Sequence, residues 1–115
     1  PVRSPVTLSG EMLIYGDQRG RVTVLDKKNG KELWHFEGGS PVDFEAIVTS
    51  AGIFTATAEG TLYLLDRRDG RELLSYPLGS LPSLGAAWHE PWLAVGTSTG
   101  KIMIFHLAMI AEKTK

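Results

Sequence analysis

The sequence predicts an all-β protein built from a repeated unit of about 40 residues. Three glycines lie forty residues apart, and the residues around each of them repeat as well: Gly20, Gly60 and Gly100. The copies read GDQRGRVTVLDKKNGKELW (16–34), ATAEGTLYLLDRRDGRELL (56–74) and GTSTGKIMIFHL (96–107). Short apolar runs punctuated by Gly, Asn and Asp are typical of strands joined by hairpins. Outside the tail, no window of ten or more residues shows helical periodicity.

Each copy is expected to form one antiparallel unit of four short strands. In the first copy the strand signals run over about 4–8, 11–16, 21–26 and 32–36. In the second they run over about 43–49, 52–58, 61–66 and 71–76, and in the third over about 84–89, 92–96 and 101–107. We therefore expect a single domain with units at about 4–37, 42–77 and 84–107, followed by a tail at 108–115.

The third strand of each copy is largely apolar on both faces. Side chains alternate along a strand, so Val22 and Val24 share one face while Thr23 and Leu25 share the other. The second and third copies repeat this pattern as LYLL (62–65) and IMIF (102–105). Such a strand must be covered on both sides, which favours sheets stacked face to face.

The hairpin turns after these strands indicate a structural role for their aspartates. Asp26 opens and Gly30 closes the first turn, and Asp66 and Gly70 do the same in the second. Aspartate accepts hydrogen bonds from backbone N–H groups two or three residues on, and glycine adopts positive φ at low cost. The spacing does not supply the alternating oxygen ligands of a calcium loop. We assign a turn role also to the repeated glycines Gly20, Gly60 and Gly100.

Composition narrows the classes of function. The 115 residues include 12 basic and 13 acidic side chains, for a net charge of −1, which argues against a protein that neutralises nucleic-acid phosphates. There is no cysteine, so disulfides and thiolate metal sites are excluded. No apolar run approaches the roughly 18 residues of a membrane span, and PVRSPVTLSG at the start lacks the order of a signal peptide. The compartment stays undetermined. The missing initiator methionine leads us to expect an excised fragment or a processed chain.

Four-stranded units at this interval indicate β-propeller blades. The stretch at 16–39 resembles the blade motif of the PQQ-like repeats, found in propellers like the quinoprotein alcohol dehydrogenases. The matching residues are Gly20, Leu25, Asp26, Asn29, Gly30 and Trp34. The second copy has Leu74 where the family prefers Trp, and the third has His106 in place of the aspartate. WD40-type propellers share the period but rank second, because the Trp-Asp dipeptide is absent. The resemblance implies that Trp34 packs between blades.

Three blades are too few to close a ring, since propellers typically have four to eight. The last copy ends its third strand near Leu107, and no clear fourth strand follows. Two apolar blade faces and a strand edge would then be open to water. We expect a missing segment or a second copy to complete the ring, with a homodimer as one solution.

The residues offer no catalytic or metal constellation, so neither a catalytic residue nor a cofactor is predicted. His35, His89 and His106 are scattered at spacings that do not suit metal ligation. Asp43 and Glu45 would share a strand face, either as exposed acids or as a polar mouth near the axis. Two tryptophans flank the loop His-Glu-Pro and could anchor a partner: Trp88 and Trp92.

We expect a non-catalytic scaffold that binds a protein or peptide through its ring face, strand edges or the rim loops at 38–43 and 78–85. No nucleic acid and no membrane insertion are expected. One alternative is a fragment of a quinone-cofactor-dependent dehydrogenase. Another is the sensor domain of a larger regulatory protein.

Overall fold

The computed structural model describes residues 6–42, 44–79 and 82–107, with the backbone alone over 82–86. The described residues form three antiparallel sheets in which each strand pairs with the next along the chain. The first sheet contains β1 (Thr7–Ser9), β2 (Met12–Gly16), β3 (Arg21–Asp26) and β4 (Glu32–Glu37). The second contains β5 (Ile47–Thr49), β6 (Gly52–Ala56), β7 (Thr61–Leu65) and β8 (Glu72–Pro77). The third contains β9 (Pro82–His89), β10 (Trp92–Thr97) and β11 (Ile102–His106).

The all-β class and the repeated blade are confirmed, and the repeat extends to the pairing register. Val24 lies opposite Trp34 in the first sheet, and Leu64 lies opposite Leu74 in the second. Both sheets shift register at the very next residue of the third strand. The forty-residue repeat of the sequence is thus matched by a repeat in the pairing of the strands.

One strand is shorter than the pattern of apolar residues predicts. The sequence predicts a strand over 43–49, but β5 begins at Ile47. The preceding residues lie in a loop whose apolar side chains turn inward: Phe44 and Ala46 are each 6% exposed and pack in two different clusters. The apolar residues that suggest a longer strand here pack instead in the two clusters between the sheets.

The predicted turn chemistry is visible in the hydrogen bonds. The Asp26 carboxylate accepts from the Lys28 amide, and the Gly30 amide donates to the Asp26 carbonyl, both at 2.8 Å. The Asp66 turn repeats both bonds at 2.8 Å. The closing glycines have φ of 72° and 78°, in the left-handed region that side chains disfavour. Each turn therefore needs an aspartate at its start and a glycine at its end.

The carboxylate of Asp66 also receives contacts from two arginine side chains. Arg68 donates to Asp66 from Nε at 3.1 Å and from a terminal nitrogen at 2.9 Å, and a terminal nitrogen of Arg71 lies 3.6 Å from the same carboxylate. The hydrogen bonds from Arg68 are the main reason that the pKa of Asp66 falls to about 2. Only 8% of the Asp66 side chain is exposed, whereas Arg68 lies largely in solvent.

Removal of the Arg68 guanidinium is expected to raise the pKa of Asp66. Because the folded-state pKa lies below the ordinary aspartate value, the charged carboxylate stabilises the fold above about pH 4. This contribution is lost as the pH falls toward the folded pKa of about 2. A carboxyl NMR titration of Arg68→Ala should show the increase, and Arg67→Ala is the matched control. An unchanged pKa in Arg68→Ala would contradict the assignment.

The core consists of two clusters, one on each side of the second sheet. The cluster between the first and second sheets contains Ile14, Val22, Val24, Trp34, Val42, Ala46, Ile53 and Leu65. The cluster between the second and third sheets contains Phe44, Phe54, Ala56, Leu62, Leu64, Leu78, Leu93, Val95 and Leu107. The second sheet is thus covered on both faces, as expected for a sheet whose third strand is apolar on both sides.

Candidate interaction surface

The third sheet exposes an apolar face that we call the terminal face. It is formed by side chains of β10 and β11 that point away from the second sheet: Trp92, Ala94, Ile102 and Ile104. Their alternate neighbours Leu93, Val95, Met103 and Phe105 pack in the cluster shared with the second sheet. Because side chains alternate along a strand, the terminal face is the opposite side of the sheet.

Burial at equivalent positions shows how unusual this face is within the molecule. Val24 and Leu64 are 0% and 1% exposed, whereas Ile104 is 65% exposed. One step along the same strand, Val22 and Leu62 are likewise buried and Ile102 is 70% exposed. A single exposed aliphatic residue is ordinary, but adjacent large residues on one sheet face make that face a candidate for interaction.

The predicted partner anchor Trp92 belongs to the terminal face. Its side chain is 51% exposed, and its ring meets the His106 ring edge-on at a centroid distance of 4.6 Å. Trp92 lies opposite His89 on β9, and Ala94 lies opposite Ala87. The aromatic residue therefore extends the aliphatic patch toward the β9–β10 hairpin.

The other predicted partner residues do not join Trp92. Trp88 lies opposite Leu93 and so faces the second-sheet side of the hairpin, with 41% of its surface exposed. Glu45 is exposed in the loop before β5. Asp43 lies outside the described residues, so the carboxylate pair predicted from the sequence has no described geometry.

The first sheet also carries a free apolar side. Leu8 and Leu33 are 63% and 52% exposed. Leu8 pairs with Leu13, which pairs in turn with Leu25, so these three form one row across the sheet. In the second sheet, the equivalent row of Val48, Ile53 and Leu65 packs against the first sheet. The terminal face of the third sheet thus corresponds to the face that the first sheet packs against the second. The exposed side of the first sheet corresponds to the face that the second sheet packs against the first.

Trp34 links the first sheet to the turn at 66–70 of the second sheet. The indole N–H of Trp34 donates to the Arg67 carbonyl at 3.1 Å, and the ring lies over Gly70. A Cβ atom on Gly70 would come within 2.2 Å of the Trp34 ring. At the equivalent Gly30, a Cβ would meet no other atom within 4 Å. Trp34 of the first sheet thus contacts the Asp66 turn of the second sheet at two points.

The histidines are not brought together with other ligands. His35 contacts Glu32 through Nδ1 at 2.9 Å on an exposed strand. Within the described ranges, no group of three His, Asp or Glu side chains could hold a metal ion. Nor does the described part of the chain contain a helix long and apolar enough to cross a membrane.

The sequence predicts open apolar blade faces, but Ile102 and Ile104 were not assigned to one of them. Both belong to the apolar pattern of the third strand, and the forty-residue repeat was the signal that could have identified them. They occupy the positions of Val22 and Val24, which become buried only because another sheet follows theirs. Alternation gives the two faces of a strand but not which face remains uncovered.

Comparisons with curated proteins agree with this architecture. The chain is 25% identical over 105 residues to the outer membrane protein assembly factor BamB of Shewanella oneidensis, covering 86% of this chain and 26% of that protein. It is 39% identical over 62 residues to 1-butanol dehydrogenase (cytochrome c) of Thauera butanivorans, covering 53% of this chain and 9% of that protein. The chain therefore spans about a quarter or less of the length of these curated relatives.

Solved structures show the same fold at low identity. BamB from Moraxella catarrhalis superposes with a TM-score of 0.80 at 20% identity, over 92% of this chain and 34% of the other. The computationally designed Ika4 protein gives 0.79 at 18% identity, over 89% of this chain and 64% of the other. The designed Ika8 protein gives 0.78 at 18% identity, over 89% and 32%.

A family model described as outer membrane protein assembly factor BamB matches residues 1–105, nearly the whole chain. The sheets, their repeated register and the Trp34 contact on Gly70 are consistent with that match. The chain belongs to the BamB-like family of PQQ-like β-propeller repeat proteins.

Proposed function

We propose that this chain is a non-catalytic propeller scaffold that binds a protein partner through the terminal face. The observation that carries the proposal is the exposure of Ile102 and Ile104 at positions that are buried in both other sheets. Burial of apolar surface is worth roughly 25 cal/mol per Å², so two large aliphatic side chains and Trp92 favour a covered state. Aromatic residues such as Trp92 are enriched at interface centres.

The nature of the partner surface follows from the stack itself. Inside the molecule, the face equivalent to the terminal face is covered by a neighbouring sheet of the same repeat. The free side of the first sheet, with Leu8 and Leu33 exposed, is the matching surface. A second copy of the chain, or a further sheet from another polypeptide, would continue the stack toward a closed ring.

The named relatives supply a biological setting for such a scaffold. The relative from Shewanella oneidensis is described as the outer membrane protein assembly factor BamB, and the matching family model carries the same description. We place this chain, by analogy, in protein assembly at the outer membrane, with the terminal face as a contact point. This analogy rests on a match that covers 26% of the Shewanella protein.

Photo-crosslinking tests the scaffold function directly. With p-benzoylphenylalanine in place of Ile104, the full chain should form a discrete covalent adduct with a polypeptide in cells. An adduct of twice the chain mass identifies a second copy, and any other discrete mass identifies a different protein. The same probe in place of Lys28, in an exposed turn, should give no such adduct.

The mutation Trp92→Asp in the probe-bearing chain should suppress the adduct by disrupting the terminal face. Absence of any discrete adduct at position 104, or an identical pattern from position 28, would reject the proposal.

A dehydrogenase fragment is the second candidate, and one observation favours it. The chain is 39% identical over 62 residues to 1-butanol dehydrogenase (cytochrome c). Addition of the pyrroloquinoline quinone cofactor with calcium should then change the absorption spectrum and support alcohol-dependent dye reduction. The scaffold function predicts neither change, so this assay separates the two classes.

A further inference from the structure

Two hairpin turns carry half of the basic side chains of this protein. The turns at 26–31 and 66–71 connect β3 to β4 and β7 to β8, so they occupy equivalent positions in the first and second sheets. Six of the twelve basic side chains lie in these turns, and all six are exposed: Lys27, Lys28, Lys31, Arg67, Arg68 and Arg71. Outside the two turns the chain has six basic and ten acidic side chains, so positive charge is concentrated here.

The two turns lie side by side in the stack. The indole N–H of Trp34, on the strand that leaves the first turn, donates to the Arg67 carbonyl of the second turn at 3.1 Å. Stacked sheets lie roughly 10 Å apart, so the two groups of cations follow one another along the stack at about that interval. We call the six basic side chains of the two turns the basic stripe.

Asp66 engages two of the six cations. Its carboxylate lies 2.9 Å from a terminal nitrogen of Arg68 and 3.6 Å from one of Arg71. Among the described residues, the other four cations form no ion pair: Lys27, Lys28, Lys31 and Arg67. Glu32, which directly follows the first turn, lies 2.9 Å from His35 instead. Four positive charges of the basic stripe are therefore available to a ligand.

The arrangement of these charges favours an extended anionic chain as the ligand. A polyproline II segment has three residues per turn and rises about 3.1 Å per residue, so every third side chain lies on the same side at intervals of about 9 Å. This interval matches the roughly 10 Å between stacked sheets. Carboxylates three residues apart would therefore meet the first and the second turn in succession.

The charge of the remaining chain favours a short acidic peptide over a larger polyanion. Charges are screened over about 8 Å at physiological ionic strength, so a peptide that lies along the basic stripe interacts mainly with the stripe. A membrane surface or a polynucleotide extends further and meets the acidic excess outside the two turns. The charge pattern thus fits an acidic segment of a protein partner.

We propose that the basic stripe binds an acidic peptide segment in a polyproline II conformation, with carboxylates three residues apart on the turns at 26–31 and 66–71. Each exposed ion pair contributes little alone, so binding depends on pairing at both turns at once. The basic stripe lies at one end of the first two sheets, whereas the terminal face is a side of the third. The inference therefore goes beyond the proposed scaffold contact and concerns a second surface.

A dye-labelled peptide of four Asp-Pro-Pro units tests this proposal with the full chain. Fluorescence anisotropy should show binding that weakens several-fold when the ionic strength rises from about 20 mM to about 150 mM, because the charges lie in solvent. A second peptide has the same composition, but its four aspartates form one run. Only the first and fourth of these carboxylates share a side, so this peptide should bind at least about threefold more weakly.

Charge reversal separates the basic stripe from the overall charge. Lys28→Glu with Arg67→Glu should weaken binding of the Asp-Pro-Pro peptide by about tenfold or more, and each single reversal should cause part of the loss. The matched control is Arg19→Glu with Lys101→Glu, an equal change of charge in exposed turns at the opposite end of the sheets. It should bind within about twofold of the parent chain. Far-ultraviolet circular dichroism checks that all variants are folded.

The proposal fails if the two peptides bind equally, if the control reversal weakens binding as much as the stripe reversal, or if one single reversal accounts for the whole loss. Tighter binding of phosphatidylglycerol vesicles or of a single-stranded oligonucleotide would also reject it, in favour of a different partner. Trp92→Asp should leave the peptide affinity unchanged. Peptide binding without a crosslinked adduct at position 104 would therefore support the basic stripe and reject the terminal-face contact, and the opposite pair of results would do the reverse.

Discussion

Gly70→Ala is expected to destabilise the fold by about 2–5 kcal/mol. The alanine Cβ would lie 2.2 Å from the Trp34 ring, and the ring would have to leave its place between the sheets. Overpacking of this kind costs roughly 1–3 kcal/mol. The backbone adds strain, because φ at this position is +78° and an L side chain costs about 1–2 kcal/mol in the left-handed region.

Gly30→Ala is the matched control for this loss. Its φ of +72° imposes the same kind of strain, but its Cβ meets no other atom within 4 Å. It should therefore cost only the strain of about 1–2 kcal/mol. Urea unfolding followed by circular dichroism gives both values. Equal losses in the two variants would show that the contact with Trp34 contributes nothing beyond the turn.

The second large effect is expected from charge placed inside the stack. Leu64 is 1% exposed in the cluster between the second and third sheets, so Leu64→Asp buries a carboxylate without a partner. Such substitutions cost more than about 4 kcal/mol. Because domains of this size are stable by only about 5–15 kcal/mol, we expect this variant to lose most of its folded population.

Ile104→Asp is the comparison, since Ile104 holds the equivalent position in the third sheet and is 65% exposed. Its unfolding midpoint should stay close to that of the parent chain. The far-ultraviolet spectrum and urea midpoint of both variants test the pair. Comparable unfolding by the two aspartates would mean that the terminal face is covered in solution by something that the fold needs.

Local chemistry explains why the strands and turns could be predicted. A hairpin such as β2–β3 is specified by neighbours in the sequence, through alternation and through a glycine at the turn. The Asp26 and Asp66 turns are equally local, because each aspartate binds an amide two residues on. The resemblance placed Trp34 between blades, whereas the geometry of its contact with Gly70 came only from the structure.

Features that depend on packing between sheets far apart in the chain could not be predicted from the sequence. The apolar Phe44 suggested a longer strand, but its side chain packs in the cluster between the second and third sheets. Trp88 and Trp92 were both predicted as partner anchors because they flank one loop, and the pleat places them on opposite faces of the sheet. The exposure of Ile104 depends on whether a sheet lies beyond it, which no local pattern encodes.

The arrangement of the core in two clusters has a consequence for how the molecule responds to stress. The second sheet is the only one of the three that contributes to both clusters among the described residues. Stability in such stacks is approximately a sum of terms between nearest neighbours. Loosening of the first or third sheet therefore breaks one interface, while opening of the second breaks two. The molecule should therefore fray from its two end sheets inward, with the second sheet opening last.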